Sequence, residues 1–269
     1  MLKSLPNMTA CHVSIVHDAR GPNNTLYQGD CSALLSIGEA SRVIERGAAD
    51  LMIAGGASSR IKPYDWSRFC VYDRLSPSSA PAQSLQPFDL HRHGTVRGEA
   101  AGLLMLESSD HALARQAPIL ARVLGFGSGF RSPQPDLHGG LDRSIRMALA
   151  DAQLQPADID LIICHGQGDI DLDRQEAGTL HAMFPTTPVT ALKGAWGLLS
   201  GASGSLEAIA AVLALQSQQA PVTLHHHTSD PACPIALHLT PRPLSLRHIL
   251  ISSLTHAGQA ASLILGLPE

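Results

Sequence analysis

With 269 residues, 44% of them hydrophobic and 16% charged, the chain is long enough to bury a large core, as one domain or as two small ones. A formal charge of −4 and scattered basic residues give no general attraction to nucleic acid or to an anionic membrane. Five cysteines, odd in number and without a CxxC pair, speak against a disulfide framework and a structural zinc site and fit a reducing cytoplasm.

The start, Met1-Leu2-Lys3-Ser4-Leu5-Pro6-Asn7, lacks the continuous apolar stretch of a signal peptide. No uncharged apolar run approaches the ~20 residues of a membrane helix, so a soluble protein is expected. Gly21-Pro22-Asn23-Asn24 breaks a small, mildly apolar segment before an extended run at 25–27. Leu34, Leu35, Ile37, Ala40, Val43 and Ile44 then recur at spacings of three and four, predicting a helix that Gly47 stops. Residues 50–57 read as a buried strand closed by Gly55-Gly56, a site of close backbone approach.

Residues 58–86, with Pro63, Pro77 and Pro81 and a Ser-rich tract at 76–84, read as a loop-rich flap. Residues 102–107 return to strand composition, followed by a short helix at 111–116 and a strand at 119–124. Gly125-Phe126-Gly127 is expected to lead into a loop ending near Gly140, then a helix with Ile145, Ala148, Leu149 and Ala152 inward. Beyond it the pattern predicts strand 160–164, helix 173–183, strand 189–192, helix 205–215 and a terminal strand pair at 248–254 and 261–265. Alternating strands and helices mark an α/β protein, with a boundary between halves 1–124 and 125–269.

Several of these pieces, in order, resemble the β-ketoacyl-acyl-carrier-protein synthases, the condensing enzymes of fatty acid and polyketide synthesis. They are residues 50–57, Pro87-Phe88-Asp89 with Arg92 and Gly94, Gly98-Glu99-Ala100-Ala101-Gly102, and Gly125-Phe126-Gly127. His165-Gly166-Gln167-Gly168 with Asp173 and Glu176, Lys193, and Gly197 to Gly204 complete the series. The resemblance implies a thiolase-like layered α/β/α/β/α fold. Relative to the family pattern, about a third is missing before Asn7, which implies a truncated first half and a complete second half. It also places the run at 25–27 and the helix after it at a dimer interface.

Condensation needs a cysteine to take the acyl chain, two histidines to hold the developing enolate, and a lysine that orders the site. Cys31 sits where a helix dipole would favour a thiolate, yet ungapped counting from Gly21-Pro22 and back from Ile37-Gly38 puts Asp30 at the family's nucleophile position. A carboxylate attacking a thioester would form a mixed anhydride of higher energy, so Asp30 reads as a helix N-cap or a pocket-shaping residue. Cys31 reads as a small buried residue, with nucleophilic use the alternative. His165 falls on the first family histidine, as working group or as scaffold. Lys193 is expected to form a buried ion pair with Glu176, a structural relation, and Asp173 belongs to the same motif. Leu198 replaces the second histidine, and His256 stands where the family places a gating phenylalanine.

His225-His226-His227 reads as loop rather than metal site, because consecutive residues of an extended segment face opposite ways. Gly201-Ala202-Ser203-Gly204 lacks the Lys-Ser/Thr of a phosphate loop and is read as close helix packing. No metal or cofactor is expected. The whole implies a noncatalytic, chain-length-factor-like subunit of type II polyketide or aryl-polyene-like systems, paired with a full-length ketosynthase and meeting acyl carrier protein through the complex. Two alternatives are a thioester hydrolase or malonyl decarboxylase working through His165 and Lys193, and a homodimeric scaffold for acyl carrier protein.

Overall fold

A computed structural model describes residues 5–59, 61–72, 75–131 and 139–268. Residues 1–4 of the leading segment, and 132–138 of the loop expected before Gly140, lie outside them. In chain order come α1 (Met8–Val16), a 3₁₀ turn (Gly29–Cys31), α2 (Ser32–Glu45), β1 (Leu51–Ser58), α3 (Pro63–Tyr72), α4 (Pro81–Ser84) and β2 (Ala100–Glu107). Then follow α5 (Ser109–Ala114), β3 (Arg122–Phe130), α6 (Gly140–Ala152), β4 (Leu161–Cys164), α7 (Ile170–Met183) and β5 (Val189–Ala191). The last are α8 (Lys193–Trp196), a 3₁₀ turn (Ser200–Ala202), α9 (Ser203–Ser217), β6 (His248–Leu254) and β7 (Gln259–Gly266).

Among the described residues these strands form two sheets. β1 and β2 pair antiparallel, with Leu51 opposite Glu107 and Ser58 opposite Ala100. The larger sheet has the order β3-β7-β6-β4-β5, with β4 parallel to both β5 and β6 and the β6–β7–β3 side antiparallel. Helices α2 and α9 lie between the sheets. Leu34, Ile37 and Ala40 from α2 and Ala208, Ala211 and Leu215 from α9 share one core with Ala54 and Leu106 on one side and Leu161, Ile163, Ile249, Ile251 and Leu263 on the other. The opposite face of the larger sheet, Ile162, Val189, Leu250 and Ile264, is covered by Ile145 and Leu149 of α6 and Leu172 and Leu180 of α7. This is the layered α/β arrangement that the resemblance implies, with two strands in the first sheet and five in the second.

Glycine sets the closest contacts. A Cβ on Gly56 would stand 1.9 Å from the Gly201 carbonyl oxygen, and one on Gly204 would meet the Leu34 side chain at 2.7 Å, so both glycine-rich stretches are packing devices. Gly47, with φ of +69°, ends the turn after α2.

Three expectations change. Gly125, Gly127 and Gly129 do not open a loop; they lie inside β3, and a Cβ on each would fall 2.1–2.2 Å from a backbone carbonyl oxygen of α6. Small residues at every second position let that helix rest on the strand. Residues 58–86 contain a ten-residue helix, α3, and none of its residues 63–71 is buried. Residues 25–27 join no ladder among the described residues.

Candidate functional site

The site lies where the ends of β4 and β6 meet the first turns before α2 and α9. A small recess there is lined by Asp30, Thr95, Arg97, Gln167, Asp169, Leu198 and His256. Sequence reasoning had singled out Asp30, Leu198 and His256. It missed Arg97 and Thr95, which come from the excursion between β1 and β2, and Asp169, the N-cap of α7. Arg97 also donates to Ser200 Oγ at 3.0 Å and stacks on the Phe69 ring at 3.9 Å.

Asp30 sits in the 3₁₀ turn leading to α2, whose N-cap residue is Cys31, without a side-chain cap bond. The N-cap expectation for Asp30 is therefore corrected, and its carboxyl group belongs to the recess. Its own carbonyl accepts from Ser253 Oγ at 2.9 Å, which ties the turn to β6. The Cys31 thiol points the other way, into the core. It is fully buried and donates to the carbonyls of Ser253 at 3.4 Å and Gln259 at 3.5 Å. Burial, with the Asp30 charge adding to it, pushes this thiol up to about 12. The dipole at the start of α2 does not offset that.

His165 follows β4 and is 1% exposed. Its Nε2 lies 3.2 Å from Gln167 Oε1, and Gln167 Nε2 lies 3.0 Å from His256 Nε2. Donation runs from His165 to Gln167 to His256, connecting the buried imidazole to the recess. Burial, and next the Lys193 charge, hold His165 well below the usual imidazole range, so it is neutral at physiological pH.

Lys193 does not pair with Glu176. Its Nζ donates to Glu207 Oε1 at 2.5 Å and to the His165 carbonyl at 2.6 Å, all of these groups being fully or almost fully buried. Glu207 comes from α9 and is the single Asp, Glu, Lys or Arg between Lys193 and Asp230. A lone acid in an apolar helix was the available signal. Burial raises its carboxyl and Lys193 opposes that.

Glu176 instead accepts from the backbone N–H of His165 at 2.7 Å and of Gly166 at 2.8 Å, and from Ser252 Oγ at 3.3 Å. Asp173 does the same for Phe88 at 3.0 Å and Gln167 at 3.1 Å, with Arg92 Nε 3.4 Å away. Burial pushes both carboxyls up to about 7, against those hydrogen bonds. The HGQG turn is thus held from below by two acids and from behind by a lysine. His226, from the triple-histidine segment, lies apart, with Nδ1 3.1 Å from the Pro87 carbonyl and Nε2 3.2 Å from Ser229 Oγ.

Two family models cover most of the chain: the β-ketoacyl synthase N-terminal domain over residues 1–112 and its C-terminal domain over residues 122–227. The chain belongs to the β-ketoacyl synthase family. The 3-oxoacyl-[acyl-carrier-protein] synthase 2 of Rhizobium meliloti strain 1021 is 36% identical over 97% of this chain and 64% of its own length. A solved complex of a type II polyketide acyl-carrier protein with its ketosynthase matches with a TM-score of 0.93 at 26% identity, covering 98% of this chain and 67% of that one. The ishigamide ketosynthase/chain length factor matches with a TM-score of 0.89 at 30% identity, covering 98% and 66%. This synthase-family chain therefore spans about 64% of the length of that Rhizobium relative. Among its described residues, no helix is long and apolar enough to cross a membrane.

Proposed function

We propose that the chain is a noncatalytic, chain-length-factor-like subunit that pairs with a complete ketosynthase and helps shape the tunnel for a growing acyl chain. One observation carries this reading: the turn that would present a nucleophile presents Asp30 to the recess, while the neighbouring Cys31 thiol is fully buried and pushed up to about 12. Leu198, at the position of the second histidine, adds no proton donor to the same recess. The solved relative described as a ketosynthase/chain length factor supports the pairing. Acyl carrier protein would be met through the complex.

Hydrolysis or decarboxylation through His165 and Lys193 has less support, because Lys193 is engaged by Glu207 and the His165 carbonyl, and His165 is held neutral below the surface. The test is co-expression with full-length ketosynthases, then size-exclusion chromatography, intact-mass analysis and a condensation assay. A heterodimer should form, acyl adducts should appear on the partner alone, and product length should change with this subunit. An acyl adduct on this chain that Cys31→Ser removes, or condensation by this chain alone, would overturn the proposal.

A further inference from the structure

The line from His165 through Gln167 to His256 joins a ring that is 1% exposed to a ring at the surface. Its two contacts are 3.2 Å, from His165 Nε2 to Gln167 Oε1, and 3.0 Å, from Gln167 Nε2 to His256 Nε2. The residue at the inner end is held firmly. Glu176 accepts from its backbone N–H, Lys193 donates to its carbonyl, and burial with the Lys193 charge keeps its ring neutral. What these contacts leave open is which ring nitrogen carries the single proton. Nδ1 is buried and meets no hydrogen-bond partner among the described residues, so the choice falls to the group at Nε2, Gln167.

An amide carries that choice along the line. It has one accepting end and one donating end; a neutral imidazole has one nitrogen of each kind, and an imidazolium has only donors. With His256 neutral, Gln167 donates to His256 Nε2 and accepts from His165 Nε2–H. When His256 takes a proton its Nε2 becomes a donor, and the amide must turn over about its Cγ–Cδ bond to accept from it. The amide nitrogen then faces His165 Nε2, which has to accept, so the His165 proton belongs on Nδ1. One proton is gained in all, by His256 Nε2 from water. His165 keeps one throughout, moved from Nε2 to Nδ1 by exchange with water.

We propose that Gln167 couples the two rings: by turning over its amide it makes the tautomer of buried His165 follow the protonation of surface His256. Among the described residues the Gln167 side chain bonds to these two imidazoles alone, which leaves the amide free to turn. The charged groups around His256 come from several elements. Asp30 from the 3₁₀ turn before α2, Arg97 from the excursion between β1 and β2, and Asp169 at the start of α7 share the recess with it. Arg131, just past β3, donates its backbone N–H to the Gly258 carbonyl in the turn that carries His256, and Lys193 with Glu207 stands behind His165. The relay does not depend on the subunit role proposed above.

The test is a pH titration of the chain carrying isotope-labelled histidine, followed by long-range proton–nitrogen correlation NMR, which reports the protonation of each ring nitrogen. In the wild-type chain the His165 signals should change from the Nε2–H to the Nδ1–H pattern as pH falls, with the same midpoint as His256, and His165 should stay neutral. His256→Phe, at the surface, and Gln167→Leu, between the rings, should each leave His165 in one tautomer across the whole titration. A His165 tautomer that stays constant while wild-type His256 titrates, a His165 ring that becomes doubly protonated with it, or a change that persists in either variant would overturn the proposal. So would a His256 that takes no proton before the protein unfolds.

Discussion

Changing Lys193 to Met removes the cation from a pair in which both side chains are wholly buried and leaves the Glu207 carboxyl group without its 2.5 Å donor. Breaking one side of such a pair costs about 3–5 kcal/mol, chiefly because the remaining charge stays out of water. For 269 residues this corresponds to a fall in melting temperature of roughly 5–9 °C. The informative experiment is a double-mutant cycle read by urea unfolding, comparing Lys193→Met with Glu207→Gln and Lys193→Met with Glu176→Gln. Coupling with Glu207 should reach at least about 2 kcal/mol. Coupling with Glu176 should be less than half of that, since Glu176 is bound to backbone N–H groups rather than to Lys193 Nζ. Equal couplings, or a larger one with Glu176, would refute the assignment of the ion pair.

With its thiol pushed up to about 12, Cys31 should react with iodoacetamide at pH 8 roughly a thousandfold more slowly than exposed Cys70, measured by peptide mass spectrometry on the native protein. Glu176 and Asp173 are raised in the fold, so the folded state holds more protons than the unfolded one above the ordinary carboxylate range, and their stabilising effect is lost as pH rises towards and through about 7. His165, depressed in the fold, opposes that slope only below its ordinary value of 6.5. Stability by urea unfolding should therefore fall from pH 5 to pH 8 by the order of a few kcal/mol, and Glu176→Gln should flatten the profile. Gly127→Ala places a methyl group where the Ser144 carbonyl oxygen stands 2.1 Å away and should cost about 1–3 kcal/mol in the same assay.

Much of the fold was legible because its elements bury one face. Leu34, Ile37, Ala40 and Val43 write α2 into the sequence at helical spacing, and the apolar run at 248–254 coincides with β6. α3 escaped because Pro63, Pro77, Pro81 and the Ser-rich tract at 76–84 make the whole stretch around it read as loop. β3 escaped because its glycines, which usually punctuate chains, here sit at period two to admit α6. In the site, the neighbourhood of His165, Asp173 and Glu176 followed from the motif. The partner of Lys193 did not, because a contact across fourteen residues and two elements leaves only an isolated acid in an apolar helix as its trace. Arg97 and Thr95 reach the recess through a chain excursion whose path no local pattern encodes.

The backbone at residue 165 has its N–H held by Glu176 and its carbonyl held by Lys193. Both contacts serve the shape of the turn whether or not a bond is ever made or broken above it. Replacing the acid at 176 or the lysine at 193 is thus disfavoured by folding alone. The presence of that acid and that lysine in a member of the family therefore reports the shape of the turn and is by itself no measure of turnover.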